Sequence, residues 1–288
     1  MNIRFRFMKC RKLTYVIGAA LMLASIVSLA TKGLNYGIDF AGGIFMEARP
    51  NSADYTLANM RGDLAAWKPE LQEDSNGNIL IRVGLAKNAT DEQQNLAVRE
   101  IKAVLGNRVS YQQIQIVGPK IGGELIRGGI LAVIFAFIMM SIYVWIRYRG
   151  GYAIGALISL SFDFILMFGF FSVMGLEFSQ SAIAVILTGV GYSINDKIVN
   201  YDRITENSQK YHKMPTLDLV DLSVNEMLSR TLMTSITTAL GMFALLAFAG
   251  SVLGQFAIAM LFSILSGTLS SIFISNSVLV YFKIRDTD

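Results

Sequence analysis

Six long apolar segments constrain this chain more than any other feature of its sequence. They run approximately over residues 13–30, 126–146, 152–174, 181–201, 232–250 and 255–282. A helix of about 20 apolar residues crosses the hydrocarbon core of a bilayer, where every backbone polar group must be paired within the protein. We therefore predict an α-helical polytopic membrane protein with six transmembrane helices. The charged fraction of 16% leaves room for one polar insert.

The first apolar segment has an alternative interpretation as a cleaved signal peptide. Ser28 and Ala30 form an acceptable cleavage site after a basic leader. The run from Leu13 to Ala30 is longer than the usual apolar core of a signal peptide, which favours a retained first transmembrane helix.

Basic residues lie at alternate ends of the apolar segments and predict their orientation. One set of connections carries Arg4, Arg6, Lys9, Arg11, Lys12, Arg147, Arg149, Arg203, Lys210, Lys213, Lys283 and Arg285. The opposite loops, near residues 175–180 and 250–254, contain no lysine or arginine. We therefore expect cytoplasmic termini, at residues 1–12 and 283–288, and an extracytoplasmic insert at residues 31–125. The net charge of +4 then reflects topology, and no nucleic-acid partner is expected.

The insert alternates between strand-like and helical patterns in the order βαββαβ. The predicted strands cover residues 43–49, 70–73, 78–85 and 111–117, and the predicted helices cover 53–67 and 90–105. Asn76 and Gly77 indicate a turn between the middle strands, and Thr90 with Gln93 forms a capping box. This order predicts an α+β ferredoxin-like domain between the first and second transmembrane helices. The only cysteine, Cys10, precedes the first span, so the domain must fold without a disulfide.

Two carboxylates fall inside apolar segments: Asp163 in the third and Asp196 in the fourth. An ionised carboxylate at the bilayer centre costs roughly 2.5 to 3.5 kcal/mol, so each needs a partner, a wet cavity or a proton. Asp163 shares a helical face with small residues, which fits both an interhelical structural acid and a proton carrier. Asp196 has Tyr192 and Asn200 four residues on either side and Asn195 beside it, which favours a functional role.

The fifth span carries a polar stripe headed by a cation. Arg230 is followed at helical spacing by Thr234 and Thr237, and Asp196 is its expected counter-ion. Alternatively, Arg230 extends to the cytoplasmic interface and contributes only to topology. Lys197 is expected to extend to the interface in the same way. The serine-rich last span is typical of close helix packing.

Several chemistries have no sequence signature here. The chain has no glycine-rich phosphate loop, its single histidine is His212 in a polar loop, and no cysteine, histidine and carboxylate set has metal-ligand spacing. We therefore expect no bound cofactor, no metal and no enzyme activity.

Four stretches of sequence resemble the SecD/SecF family of protein-export membrane proteins, on its SecF side. The segment Gly37–Gly43 matches a G-x-D-F-x-G-G signature after the first span. The other three are 117–119, then 191–196 followed by 202–207, and 230–235, in the order found in the family. Together they cover nearly the whole chain.

The resemblance implies a six-span half of the RND superfamily in the bacterial cytoplasmic membrane. Such a protein pairs with SecD, associates with the SecYEG translocon, and uses the proton-motive force to promote late steps in the export of unfolded secretory polypeptides. The resemblance places Asp196 and Arg230 on a proton pathway, with Asp163 at the acidic position of the third span. Tyr192, Asn195, Asn200 and Thr234 form the expected supporting polar cluster.

The chain departs from the family pattern at two positions. Lys197 stands where the family usually has a small serine or threonine, and Thr205 replaces a basic residue. An ammonium beside Asp196 favours the ionised form of that carboxylate.

Two rival functions remain open from the sequence. Six spans with intramembrane acids equally fit half of an RND-type exporter of small molecules or lipids. They also fit a non-transporting scaffold subunit, in which the acids and Arg230 only hold helices together.

Overall fold

Ten α-helices and six strands build the part of the chain that the computed structural model describes, which is residues 5–52, 54–73, 77–84, 90–148, 150–248 and 251–282. The helices are α1 Arg11–Thr31, α2 Ile38–Ala41, α3 Leu57–Asp63, α4 Asp91–Leu105, α5 Pro119–Arg147, α6 Gly151–Met174, α7 Gln180–Lys210, α8 Thr216–Phe248, α9 Ser251–Leu269 and α10 Asn276–Leu279. The strands are β1 Asn35–Tyr36, β2 Gly43–Pro50, β3 Glu70–Glu73, β4 Ile79–Val83, β5 Val109–Val117 and β6 Glu177–Phe178. Short 3₁₀ turns occur at Phe7–Cys10, Ala65–Trp67 and Gly106–Arg108, and a π-helical segment, Ser270–Ser275, joins α9 to α10.

The chain forms two compact units. One contains residues 1–35, 133–176 and 181–288, and the other contains residues 36–132 and 177–180. The first unit holds most of the membrane helices, and the second holds the inserted domain.

In the described part of the chain, six helices are long and apolar enough to cross a membrane, which confirms the predicted fold class. They cover Phe7–Thr31, Gly122–Arg147, Gly151–Met174, Gln180–Lys210, Thr216–Phe248 and Leu253–Leu279. α7 and α8 contain 31 and 33 residues. At 1.5 Å per residue they are about 46 and 50 Å long, well beyond the hydrocarbon thickness of about 30 Å. The fifth membrane-spanning helix, α8, begins at Thr216, which is earlier than the apolar segment at 232–250 predicted.

The inserted domain has the predicted ferredoxin-like topology. Its four-stranded sheet has the order β3-β4-β2-β5, and all neighbouring strands are antiparallel. The central strand β2 pairs Ile44 with Val83 of β4 and with Ile116 of β5. In sequence terms the order is second, third, first and fourth strand, which is the split βαβ arrangement.

One face of this sheet and two helices form the core of the inserted domain. The sheet contributes Ile44, Met46, Ala48, Ile79, Ile81 and Val83, and the helical segments contribute Met60, Leu64, Ala97, Val98, Ile101 and Leu105. The period-2 pattern of the strands and the helical spacing of α4 bring these apolar side chains together.

The sequence predicted a capping box at the start of α4 and a turn between β3 and β4. The predicted capping box is confirmed, because the Gln93 amide donates to the Thr90 hydroxyl and the Gln93 side chain accepts from the Thr90 amide. In the predicted turn, Gly77 has a φ of +75°. Asn76 lies outside the described residues, as do Ala53 at the start of the predicted first helix and Leu85 at the end of a predicted strand.

We predict that Gly43→Ala destabilises the inserted domain by at least about 2 kcal/mol. Gly43 has a φ of +143°, and a methyl group there would lie 2.6 Å from the Val83 carbonyl oxygen. Unfolding in urea is followed by the fluorescence of Trp67 in full-length protein in detergent, with Trp145→Phe removing the only other tryptophan.

The matched control is Gly62→Ala, in an exposed turn of α3 with open space around the glycine. It should stabilise the domain by roughly 0.5 to 1 kcal/mol, because alanine is the better helix former. Equal midpoints for the two variants would contradict the assignment of Gly43 to a glycine-specific conformation.

Candidate intramembrane site

Small residues bring three membrane elements close enough to share a polar site. A methyl group at Gly155 of α6 would lie 2.8 Å from the Tyr201 hydroxyl of α7. One at Gly267 of α9 would lie 2.8 Å from the Ser193 Cβ atom. The absence of side chains at these positions lets the backbones approach, as is usual where membrane helices pack.

A fully buried ion pair joins α6 to α7 at the centre of this packing. Lys197 Nζ lies 2.6 Å from Asp163 Oδ2, and the two side chains are 1% and 3% exposed. This corrects the expectation that Lys197 extends to the interface. Its side chain leaves α7 on the face that contacts α6, where a carboxylate receives the ammonium.

Serine hydroxyls complete the coordination of both charges. Ser193 and Ser270 donate to the two Asp163 oxygens, at 2.7 Å to Oδ2 and 2.6 Å to Oδ1. The Lys197 ammonium also donates to both serine hydroxyls, so each of its three hydrogens has an acceptor. A buried ion pair is tolerated only with such full hydrogen bonding, since desolvation of each charge costs several kcal/mol.

Asp196 lies beside this pair in sequence but does not take part in it. The residue is 4% exposed, and its Oδ2 atom has no hydrogen-bond partner among the described residues. The Asn200 Nδ2 atom, one helical turn further along α7, is buried and equally unpaired there. Successive residues of a helix are separated by about 100°, so Lys197 and Asp196 point to different neighbours.

The predicted counter-ion of Asp196 is placed elsewhere. Arg230 is exposed on α8 and forms no ion pair with Asp196 within 4.0 Å in the described part of the chain. The inward face of α8 instead carries Thr231 and Ser235. Arg230 is therefore not in direct contact with Asp196 in this conformation, because the buried stripe is one residue further along α8. The pairing of Arg230 with an ionised Asp196 stays a prediction.

The supporting residues are divided between several contacts. The Tyr192 hydroxyl donates to the Ser235 hydroxyl at 3.4 Å, and Ser235 is 2.9 Å from the Thr268 hydroxyl. The Thr234 hydroxyl donates to the Thr231 carbonyl of its own helix, and Asn195 is exposed. Of the predicted cluster, Asp163, Asp196 and Asn200 are buried in the helix bundle, while Tyr192 and Thr234 are half-buried.

Comparison with known proteins identifies the family. A model described as protein export membrane protein SecD/SecF, C-terminal, matches residues 97–285, and the SecD/SecF GG motif matches residues 27–49. Relatives named protein translocase subunit SecF from Rickettsia felis and Rickettsia conorii are 40% and 39% identical over 292 residues. These matches cover 99% of this chain and 94% of each relative. The chain belongs to the SecD/SecF family.

Two solved structures show the same architecture. SecDF from Thermus thermophilus, described as a translocon-associated membrane protein, matches with a TM-score of 0.84 at 33% identity over 96% of this chain. SecDF in a super-membrane-facing form matches with a TM-score of 0.72 at 32% identity over 98% of this chain. The chain spans 38% and 39% of the length of those SecDF chains.

The SecD/SecF stretch at residues 202–207 forms a polar network between the extended ends of α7 and α8. Arg203 donates to Glu226 at 2.7 Å, and the Asn207 amide donates to Glu226 at 2.7 Å and to Ser223 at 2.9 Å. These contacts hold the two helices together beyond their apolar segments.

A second group of contacts ties the connection between α5 and α6 to α7. Asp202 accepts from Arg147 at 2.7 Å and from the Tyr148 hydroxyl at 2.9 Å. Burial and this hydrogen bond to a carboxylate raise the pKa of Tyr148 well above its usual value, so the hydroxyl stays a donor.

The central ion pair of the site is not predicted by the sequence patterns, although part of its signal is present in them. Ser193 and Lys197 are four residues apart and so share a helical face. Ser270 belongs to the π-helical segment, whose extra residue per turn changes which side chains face α6 and α7. Nothing in the sequence indicated that change of register.

We predict that Lys197→Met destabilises the protein by about 3 kcal/mol or more, because it leaves the Asp163 carboxylate buried without its cation. The double variant Asp163→Leu/Lys197→Met should recover most of that loss, since apolar pairs of similar volume replace buried ion pairs well. Thermal unfolding of detergent-purified protein measures both effects.

Lys210→Met, at the exposed end of the same helix, serves as the control and should change stability by less than about 0.5 kcal/mol. A double variant no more stable than Lys197→Met would contradict the assignment of the loss to a buried Asp163 carboxylate without its cation.

Proposed function

We propose that this chain is an accessory subunit of the Sec protein translocase, and that it acts with SecD in the bacterial cytoplasmic membrane. The SecF relatives that match along almost their whole length support the role of a translocase subunit, which is not an enzymatic role. The SecDF structures, in which this chain corresponds to about two fifths of a longer chain, support pairing with SecD. Association with SecYEG and contact with unfolded secretory polypeptides extend this proposal.

The finer part of the proposal is that the proton-motive force drives the subunit during late steps of export. The observation that carries it is the buried Asp163–Lys197 pair next to an unpaired Asp196. Among the described residues, the two carboxylates Asp163 and Asp196 and the ammonium of Lys197 leave one negative charge without a direct partner. A proton bound there removes the cost of that charge, so proton occupancy and helix packing depend on each other.

The expected step is proton uptake by Asp196 from one side and release to the other. When Asp196 is ionised, its charge is expected to attract Lys197 and Arg230. When Asp196 is neutral, Lys197 is held by Asp163 alone. Movement of a unit charge across 100 mV is worth about 2.3 kcal/mol, which is comparable to the difference between two packed helix arrangements.

The main alternative function is that of a static scaffold. The Asp163–Lys197 pair is consistent with it, because every hydrogen bond of this pair is satisfied. A pair of this kind holds α6 and α7 together whether or not protons move. The Asp196 oxygen without a hydrogen-bond partner among the described residues favours the proton-driven function, because a carboxylate that only holds helices together is expected to be fully hydrogen-bonded.

We predict that Asp196→Asn abolishes proton-driven export while the protein still assembles with SecD. The amide keeps the size of the side chain and still forms hydrogen bonds, but it does not take up or release a proton at physiological pH. Asp196→Glu should keep part of the activity. Export into vesicles reconstituted with the translocon and SecD, under an imposed pH gradient, measures the effect.

Asp218→Asn in the first turn of α8 is the control and should export normally. Wild-type export by Asp196→Asn, at normal protein levels, would rule out Asp196 as the proton carrier and favour the scaffold function.

The proposed topology predicts from which side of the membrane a thiol reagent reaches an introduced cysteine. In a Cys10→Ser background, a membrane-impermeant thiol reagent added outside should label Arg99→Cys, on the exposed side of α4. It should not label His212→Cys, in the exposed turn between α7 and α8, until the membrane is opened. The reverse pattern would invert the proposed orientation.

A further inference from the structure

The short loop between α6 and α7 belongs to the compact unit of the inserted domain. Residues 177–180 fall in that unit, although the bodies of α6 and α7 are in the other. α6 carries Asp163, and α7 carries Asp196 and Lys197. The loop is therefore the covalent connection between the two helices of the ion pair, and it is built into the domain.

Glu177 is the charged anchor of this loop. It forms an ion pair with Arg82 of β4, and the side chains are only 16% and 19% exposed. Gly37, the first residue of the G-x-D-F-x-G-G signature, leaves space for this carboxylate. A methyl group at Gly37 would lie 2.5 Å from Glu177 Oε1 and 2.9 Å from its Cγ atom.

Phe178 adds backbone and aromatic contacts with the signature and with Tyr36, the residue before it. The Gly37 amide donates to the Phe178 carbonyl at 2.9 Å. The Phe178 ring lies 5.8 Å from the Phe40 ring and 6.2 Å from the Tyr36 ring, between centroids. Such aromatic contacts contribute about 0.5 to 1.5 kcal/mol each beyond the area they bury.

Asp39 of the signature holds the first residue of α7. Its Oδ2 atom accepts a hydrogen bond from the Gln180 amide at 3.2 Å. The first amides of a helix lack partners within the helix, and a carboxylate there also interacts favourably with the positive end of the helix dipole. The signature aspartate therefore caps the helix that carries Asp196 and Lys197.

From these contacts we propose that the G-x-D-F-x-G-G signature and Arg82 form a receptor for the α6–α7 loop, and that the receptor transmits movement of the two helices to the inserted domain. This inference rests on the proposed proton-driven function. Asp163 lies about 17 Å along α6 from the loop, and Lys197 lies about 25 Å along α7 from it. Helices transmit displacement along their axes, so a change in the pairing of Asp163 with Lys197 reaches Glu177 and Gln180.

The charge of Glu177 makes the proposal testable by exchange of partners. Arg82→Glu and Glu177→Arg each place like charges together, whereas the double variant restores an ion pair of opposite direction. Arg108→Glu is the matched control, because Arg108 pairs with Asp63 within the same domain, away from the loop. Each variant is reconstituted with SecD and the translocon, and export and proton entry are measured under an imposed pH gradient.

Each single reversal should lower export about tenfold while proton entry persists, and the double variant should recover export to within about threefold of wild type. Arg108→Glu should stay within about twofold. Hydrogen exchange at residues 36–43 gives a readout independent of proton use. The single reversals should accelerate it, because the Gly37 amide loses its acceptor, and the double variant should restore it.

The outcomes separate the receptor from the proposed function. Unchanged export in both single reversals overturns the proposal, and so does a parallel loss of export and proton entry that the double variant does not repair. Failure of the proposed function is seen instead as full export by Asp196→Asn. In that case the transmission is overturned with it, and the exchange pattern alone decides whether the receptor contact exists.

Discussion

The buried ion pair between Asp163 and Lys197 determines how closely the membrane helices around it must pack. Each charge is acceptable in an apolar interior only because the other is 2.6 Å away and two serine hydroxyls bind both. That arrangement requires α6, α7 and the π-helical segment to approach closely. The glycines and serines at these contacts are therefore a consequence of the ion pair as much as of general membrane packing.

The helix that carries Lys197 also makes polar contacts outside its apolar segment. α7 and α8 continue well beyond the hydrocarbon, where Arg203, Asn207 and Glu226 join them. At the opposite end of α7, Asp39 accepts from the first amide of the helix. The helix that carries both Asp196 and Lys197 therefore makes polar contacts at both of its ends.

The sequence predicted the elements well and their rotations poorly. Hydrophobic length identified six spans, and period-2 and helical patterns identified the ferredoxin-like domain with its capping box at Thr90, because these signals are local. The start of α8 was placed too late, since residues 216–229 are only partly apolar and do not resemble a span. The rotation of a helix depends on its neighbours, and an error of one residue turns it by about 100°. For this reason Thr231 and Ser235, rather than Thr234 and Thr237, face the interior.

The site itself shows why a substitution relative to the family pattern is informative. With a serine or threonine at position 197, Asp163 would lose the cation with which it pairs. Lys197 adds a cation that is already bound to Asp163, so Asp196 keeps its unpaired oxygen despite the adjacent ammonium. The expectations that Lys197 extends to the interface and favours the ionised form of Asp196 followed from sequence neighbours, whereas the helix directs the side chain to α6. The two carboxylates are therefore different in kind. Asp163 pairs with a cation, whereas Asp196 forms no ion pair among the described residues, and the proposed function assigns its neutralisation to a proton.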